Sequence, residues 1–240
     1  GDGTLLSQAR RCVAWGASGA AMLGVNMGRL GFLAEFDMTA LRSQAADIFG
    51  RGRLLTQEFG MLGVEVFGAK EKKARFSGMA MNEALITAGP PYRLITLSLS
   101  IDGLAGPTIS GDGVIISSPL GSTAYNLSAG GPILAPAVDG FAITPIAAHS
   151  LSVRPVVVPG SSRIEVKAVR VNEELEFSNP RLGTTLVLDG QVQVPIGAGD
   201  RVVISRHEHS IRFVKNPTSD YWSRLIGKLN WAVAPKLNGV

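Results

Sequence analysis

Residues 111–134 read GDGVIISSPLGSTAYNLSAGGPIL, and this stretch predicts a strand, a loop and a helix in succession. The β-branched run 114–116 suits a buried strand, and a Pro-Leu-Gly sequence interrupts it. Ser122 and Thr123 follow where a helix N-cap is expected, so two hydroxyls and free backbone N–H groups would lie at the carboxyl end of the strand. This place suits an oxygen-rich ligand, and a tight connection without a ligand is the alternative.

The composition excludes several classes of protein. With 240 residues, 45% of them hydrophobic and 18% charged, the chain is long enough for one large or two small globular domains. Cys12 is the only cysteine, which excludes an intrachain disulfide and favours the cytoplasm. No apolar stretch reaches membrane-spanning length, so no membrane is expected as a partner. The net charge is +4, but the basic residues are scattered, which favours a small anionic substrate over nucleic acid.

The hydrophobic pattern of the chain changes near residues 52–60. The first part predicts a helix from Leu5, a buried strand near residues 22–25 and a glycine-rich turn at 28–33, which together indicate an α/β domain whose first strands precede Gly1. The second part predicts an all-β, sandwich-like domain of short alternating strands. These strands are expected at 62–67, 80–87, 93–101, 114–117, 152–158, 163–169, 185–188, 202–205 and 211–214. An amphipathic helix at 220–231 closes the chain.

Three motifs, in order, resemble those of the NAD kinase family. Residues 121–125 resemble the end of its TPTGSTAY signature, residues 1–4 resemble the end of GGDGT, and Asn82–Glu83 resembles its Asn-Glu pair. Ser118 and Leu120 stand where the family usually has threonines, and Leu120 lacks the hydroxyl. The resemblance covers nearly the whole chain.

The resemblance implies an architecture similar to NAD kinases and diacylglycerol kinases. It consists of an α/β domain within residues 1–56, an all-β nucleotide-binding domain at 57–216 and a C-terminal helix at 217–240 that returns to the first domain. The implied reaction transfers the γ-phosphoryl group of ATP, or phosphate from polyphosphate, to the adenosine 2′-hydroxyl of NAD, with Mg²⁺ accompanying the donor. A homodimer or homotetramer is implied as well.

Two alternatives come from other classes of protein. A lipid or diacylglycerol-type kinase shares the GGDGT loop, but its second motif usually reads Gly-Thr-x-Asn-Asp. A non-catalytic nucleotide-binding protein would have no need of a base such as Asp2. A P-loop kinase is excluded because the chain has no GxxxxGK[ST] motif.

The resemblance assigns the catalytic base to Asp2, and Asp112 and Ala147 to the nucleotide site of a neighbouring subunit. From the residues alone, each Gly-Asp-Gly triplet is equally compatible with a simple turn. No cluster of His and Cys suggests a metal site, so magnesium is expected to arrive with the nucleotide. The implied substrate-binding residues are Asp2, Gly3, Phe32, Asn82, Glu83, Arg93, Ser110, Asp112, Thr123, Ala124, Tyr125, Asn126, Leu127, Ser128, Ala147 and Gln191.

Several of these residues have an ordinary structural interpretation that the sequence leaves open. Phe32 either stacks on a base or packs in the core, and Tyr125 is equally compatible with a core tyrosine. Asn82–Glu83 fits a polar pair on an edge strand. Ser110 is small where family members that strongly prefer oxidised NAD carry an arginine, which predicts weak discrimination between NAD and NADH.

Overall fold

The computed structural model describes residues 2–17, 19–27, 32–50, 54–172 and 183–229. In this part of the chain, β-strands dominate and are mostly antiparallel. The strands are β1 (Ala21–Met22), β2 (Thr56–Phe67), β3 (Phe76–Ala80), β4 (Glu83–Thr87), β5 (Ile95–Ile101), β6 (Leu104–Gly111), β7 (Gly113–Ser117), β8 (Gly140–Ile146), β9 (Val156–Pro159), β10 (Ile164–Arg170), β11 (Thr185–Leu188), β12 (Val192–Pro195) and β13 (Arg201–Val214).

Two sheets face each other across one hydrophobic core. The seven-stranded sheet has the order β3-β2-β13-β10-β5-β6, with β1 pairing in parallel with β13, and the six-stranded sheet has the order β12-β11-β4-β7-β8-β9. β5 reads ITLSLSI, and its alternate residues Ile95, Leu97 and Leu99 are buried, as expected for a strand with one face on the core. They meet residues such as Ile86 and Ile116 from the other sheet.

The helices are short and lie outside the sandwich. They are α1 (Asp2–Ala14), α2 (Met38–Ser43), α3 (Ala45–Phe49), a 3₁₀ turn at Gly121–Thr123, α4 (Tyr125–Ser128) and α5 (Tyr221–Leu229). Leu6, Ala9 and Val13 recur on one face of α1 and pack in a second hydrophobic cluster with Met61 of β2 and Ile211 of β13. This packing places the start of α1 against the outer face of the seven-stranded sheet.

The predicted all-β region is confirmed, but several of its strands differ from the expectation. The predicted strand 80–87 is wrong as one element, because the chain leaves the first sheet at Ala80 and enters the second at Glu83. Strands 202–205 and 211–214 are one strand, β13, whose pairing with β2 shifts register between Arg206 and Ser210. The sequence did not predict β6, β8 or β12, nor β3 beyond its last residue, Ala80. β6 contains Gly106 and Pro107, residues that weaken a strand signal and are tolerated here at a sheet edge.

The two ends of the described chain lie against each other. Arg224 of α5 forms a buried ion pair with Glu35, and the Asn216 N–H donates to the same carboxylate at 2.9 Å. Gln44 Nε2 donates to Asn216 Oδ1 at 2.9 Å. The predicted turn at 28–31 and the helix residues beyond 229 lie outside the described residues. In the described part, every helix is too short or too polar to cross a membrane.

Candidate active site

Asp2 occupies the first turn of α1, where the helix dipole favours a carboxylate. Its Oδ2 accepts the backbone N–H groups of Phe32 at 2.8 Å and Leu33 at 3.4 Å. Its Oδ1 is buried and has no hydrogen-bond partner among the described residues. One oxygen therefore orients the carboxylate, and the other is left with lone pairs that can accept a proton.

Phe32 lies beside an open cavity of about 960 Å³ that also borders Asp2 and α5. The Lys228 Nζ lies 4.8 Å from the centroid of the Phe32 ring, within the range of a cation–π contact. Burial lowers the pKa of Lys228, and the negative charge of Asp2 opposes that shift. The ring thus contacts a lysine that the sequence did not associate with it, and its stacking on a base stays a prediction.

Asn82–Glu83 lies at the crossover between the two sheets. The backbone N–H groups of Met81, Asn82 and Glu83 all donate to the Asp189 carboxylate, at 2.7–3.3 Å. This carboxylate explains why the strand is interrupted, since these amides turn toward it and away from a sheet ladder. The Asn82 carbonyl in turn accepts the Ser118 N–H at 2.9 Å, which connects the crossover to the glycine-rich loop.

Glu83 is a buried acid whose carboxyl has a raised pKa. Only 7% of its surface is exposed, and its Oε2 has no hydrogen-bond partner in the described part of the chain. Burial raises the pKa of the Glu83 carboxyl to about 7, and the negative charge of Asp189 adds to the effect. Near neutral pH, the Glu83 carboxyl can therefore either donate or accept a hydrogen bond. Both abilities suit contact with a hydroxyl group, which itself donates and accepts.

Asp189 and Arg10 belong to the site although the sequence did not identify them. The side chain of Asp189 is fully buried, and it forms an ion pair with Arg10, whose side chain is 13% exposed. Arg10 Nη2 also donates to Gln191 Oε1 at 2.6 Å, and Gln191 Nε2 donates to the Gly3 carbonyl at 2.9 Å. A usable signal was present for Asp189, because it follows the buried strand β11 and precedes a glycine, as a functional turn residue often does.

The glycine-rich loop after β7 is folded against the crossover. A Cβ on Gly121 would lie 2.1 Å from the Asn82 carbonyl oxygen, so only glycine allows this approach. The predicted N-cap is wrong: no side chain caps α4, whose N-cap position is Ala124. The Ser122 hydroxyl is buried and bonds instead to the Leu134 N–H at 3.0 Å, which holds the loop closed. The Thr123 hydroxyl contacts the Leu120 carbonyl at 3.5 Å.

Asn126 was predicted to bind substrate, but its side chain is buried and hydrogen-bonded within the protein. It is fully buried, its Nδ2 donates to the carbonyls of Ser122 at 3.2 Å and Pro132 at 3.0 Å, and its Oδ1 accepts the Thr144 hydroxyl at 2.6 Å. A Cβ on Gly131 would lie 2.1 Å from that Oδ1, so the position of Asn126 requires glycine at residue 131. The side chain of Asn126 therefore holds α4 on β8 and is not free to contact a ligand.

The rest of the predicted loop is accessible. Tyr125 is 46% exposed, which argues against a core tyrosine, and Ser128 is also exposed. Thr123, Ala124 and Leu127 are half-buried. These residues remain open to a ligand on the outer side of the six-stranded sheet.

A second group of predicted residues lies at the opposite end of that sheet. Gly113 pairs with Thr87 and Ser117 pairs with Glu83, so Asp112, one residue before Gly113, lies roughly 16 Å from Glu83 along the strands at about 3.3 Å per residue. Asp112 is exposed, and its backbone N–H donates to the Ile146 carbonyl at 3.0 Å, which brings it beside Ala147.

Two further predicted residues lie at this end. Ser110 is half-buried, and its hydroxyl lies 3.1 Å from that of Thr96. Arg93 is exposed on the loop before β5, whose first residue pairs with Gly111. The predicted site residues thus form two groups, and Asp112, Ala147, Ser110 and Arg93 do not meet Asp2 within one chain.

Comparison with known proteins identifies the family of the chain. The family model described as the ATP-NAD kinase C-terminal domain matches residues 81–216. NAD kinases of Geotalea daltonii and Aquifex aeolicus are 39% and 36% identical to the chain, which spans 76% and 79% of their lengths; each match covers 96% of this chain. The chain therefore belongs to the NAD kinase family.

Two solved structures resemble the fold. Yeast NADH kinase in complex with NADH superposes with a TM-score of 0.79 at 28% identity, over 90% of this chain and 60% of that one. An NAD kinase from Archaeoglobus fulgidus in complex with ATP superposes with a TM-score of 0.65 at 25% identity, over 88% of this chain and 72% of that one. These matches do not favour a lipid kinase.

Proposed function

We propose that the protein is an NAD kinase that transfers the γ-phosphoryl group of ATP to the adenosine 2′-hydroxyl of NAD and forms NADP. The observation that carries the proposal is the buried Oδ1 of Asp2, which has no hydrogen-bond partner among the described residues. Asp2 lies on the same helix end as Gly3, whose carbonyl is tied through Gln191 to the turn that carries Asp189. A carboxylate with a free oxygen in a positioned site is what a general base requires.

In this reaction, Asp2 Oδ1 accepts the proton of the 2′-hydroxyl. The 2′-oxygen then forms a bond to the γ-phosphorus, the bond between that phosphorus and the β–γ bridging oxygen breaks, and ADP leaves. Phosphoryl transfer needs mainly positioning and charge neutralisation, so a single oriented base beside a substrate cavity is sufficient protein chemistry. The cavity that borders Asp2 and Phe32 has the size needed for part of a nucleotide.

The crossover is the proposed partner of Asp2 in holding NAD. Asn82 carries a side-chain amide next to Glu83, whose carboxyl has a pKa raised to about 7 by burial. An amide and a carboxyl side by side suit ribose hydroxyls because each hydroxyl both donates and accepts. The exposed side of the loop at residues 123–128 supplies further contacts, chiefly through Tyr125 and Ser128. Asn126 serves this site indirectly by holding α4 in place.

The group at the far end of the sheet is proposed to act in a neighbouring subunit of a homodimer or homotetramer. Its distance from Glu83 supports this assignment, because an adenosine that contacts Glu83 is too short to reach Asp112 of the same chain along the strands. An exposed Asp112 carboxylate can accept the adenine amino group's hydrogen bond, with Ala147 beside it.

Magnesium is proposed to enter with ATP as part of the substrate. No group of three or more His, Cys, Asp or Glu side chains that could hold a metal ion occurs among the residues described, so phosphate oxygens and water would supply most of its ligands. ATP and polyphosphate remain alternative donors. The same proposal places domain limits at residues 56 and 216 and the protein in the cytoplasm. It also has the C-terminal helix return to the first domain, which the contact of α5 with Glu35 supports.

The test is incubation of the full-length protein with NAD, ATP and Mg²⁺, followed by chromatographic detection of NADP. We expect NADP and ADP to form in equal amounts. Formation of phosphatidic acid from diacylglycerol, with no NADP, would instead establish the lipid-kinase alternative. Replacement of ATP by polyphosphate in the same assay identifies the donor.

A further inference from the structure

Two segments of the proposed NAD site are far apart in the chain and need something to fix their relative position. Asp2–Gly3 starts α1, and Asn82–Glu83 forms the crossover. The apolar face of α1 packs through Leu6, Ala9 and Val13, but such contacts are not directional and leave the rotation and shift of a helix loosely defined. Directional polar contacts are required to set the register.

We infer that Arg10 and Gln191 are positioning residues that hold the Asp2–Gly3 start of α1 in register with the Asn82–Glu83 crossover. This inference rests on the proposed function, since it explains how that site is kept in order. The contacts form one continuous path: Gly3 carbonyl to Gln191, Gln191 to Arg10, Arg10 to Asp189, and Asp189 to the amides of the crossover.

The geometry of α1 makes this path a clamp. Gly3 and Arg10 are seven residues apart, which places them on the same face of the helix, two turns or about 10 Å apart. Asp189 and Gln191 contact these two points from a single turn between β11 and β12. Two anchors at this separation fix both the rotation and the axial position of the helix.

The turn itself is rigid enough to act as an anchor. Asp189 and Gly190 have φ angles of 49° and 67°, and the Gln191 N–H donates to the Leu188 carbonyl at 2.9 Å, as expected for a tight type I′ turn. Leu188 pairs with Val192 directly on either side of it. The clamp is therefore built on the six-stranded sheet and not on a loose loop.

Arginine is the side chain that this clamp requires. Its planar fork contacts the Asp189 carboxylate through Nη1 and the Gln191 amide oxygen through Nη2. A lysine has the charge but not the fork, so it can pair with Asp189 without holding Gln191 in the same way. Because Asp189 is fully buried, removal of the cation leaves a carboxylate without its ion-pair partner in the interior.

The experiment compares Arg10→Met, Arg10→Lys and Arg11→Met in the full-length protein. Arg11 is the matched control: it is the next residue of the same helix, is exposed and stacks on Trp15 at 5.6 Å. We expect Arg10→Met to lower kcat by about 10- to 100-fold while KM for NAD changes less than about 3-fold, since the binding groups remain and only their alignment is lost. Arg10→Lys should recover part of kcat, and Arg11→Met should match the wild type.

Hydrogen exchange supplies a readout that does not depend on activity. In Arg10→Met, the amides of Met81, Asn82 and Glu83 should exchange at least about tenfold faster than in Arg11→Met, because their acceptor Asp189 loses the cation that compensates its buried charge. Should Arg10→Met fail to fold, Arg10→Lys and Gln191→Met take its place in both measurements. Unchanged exchange and unchanged kcat in folded Arg10 variants would overturn the clamp.

A double-mutant cycle separates a clamp from two independent contacts. If Arg10 and Gln191 act as one unit, Arg10→Met combined with Gln191→Met should lower kcat little more than Arg10→Met alone. If the fold-loss in kcat of the double variant equals the product of the two single fold-losses, the clamp is contradicted. A wild-type protein that forms no NADP would refute the proposed function. An active wild type whose Arg10 variants have unchanged kcat and unchanged amide exchange would refute only the clamp.

Discussion

The two ends of the six-stranded sheet carry predicted site residues in opposite environments. At the crossover end, Glu83 and Asp189 are buried, and hydrogen bonds tie them to α1. At the other end, Asp112 and Arg93 are exposed and Ser110 is half-buried. The contrast teaches that the first group is organised within one chain, whereas the second presents its polar groups outward, as residues that complete a neighbour's site would do.

The largest effect is expected from Asp2→Asn, which keeps the shape of the side chain but removes the proton acceptor. We expect kcat to fall by about 10²- to 10⁴-fold, with a much smaller change in the affinity for NAD. Steady-state kinetics and NAD titration on the full-length enzyme check this. Near-normal turnover would show that the crossover end holds its base elsewhere.

Glu83 should make the stability of the protein depend on pH. Because burial raises the pKa of Glu83 from 4.5 to about 7, the folded protein binds this proton more tightly than the unfolded chain between those values, and stability falls as pH rises through that window. Relative to the wild type, Glu83→Gln should gain about 3 kcal/mol between pH 4.5 and 8. Urea unfolding across this range measures it.

The control for that prediction is Asp112→Asn, whose stability relative to wild type should stay within about 0.5 kcal/mol over the same range because the side chain is exposed. A stability difference between Glu83→Gln and wild type that does not vary with pH would contradict the assignment of the buried titrating group.

Asn126→Ala tests the support of the loop. It leaves the Thr144 hydroxyl and two carbonyls without their buried partner, so we expect the free energy of unfolding to fall by about 2–3 kcal/mol. Ser128→Ala, an exposed position two residues along, should cost less than about 0.5 kcal/mol. Equal effects in chemical denaturation would mean that the Asn126 bonds contribute little.

The smallest effect concerns Ser110 at the exposed end. A small side chain adds neither bulk nor a cation, so we expect NADH to be phosphorylated with a kcat/KM within about tenfold of that for NAD, or about 1.4 kcal/mol. Measurement of both forms on one preparation checks this. A preference for NAD beyond about a hundredfold would show that Ser110 does not govern the choice.

The sequence predicted the β-rich domain, because alternating runs of apolar and polar residues are local signals. It could not predict the break at residues 81–82, since Asp189 causes it from more than a hundred positions away. A similar separation in sequence hid the contacts of Arg10 with Asp189 and Gln191. The burial of Asn126 depends on Thr144 of β8, a strand that was not predicted.

Subunit mixing tests most directly whether the two ends serve one reaction in different chains. In the proposed reaction, Asp2→Asn would lack the base and Asp112→Ala would lack the adenine contact, so each variant alone should have reduced activity with NAD and ATP. In hybrids, some sites combine an intact Asp2 with a neighbour's intact Asp112, and activity should rise above the average of the two separate variants. No rise in subunits that have demonstrably exchanged would contradict the account.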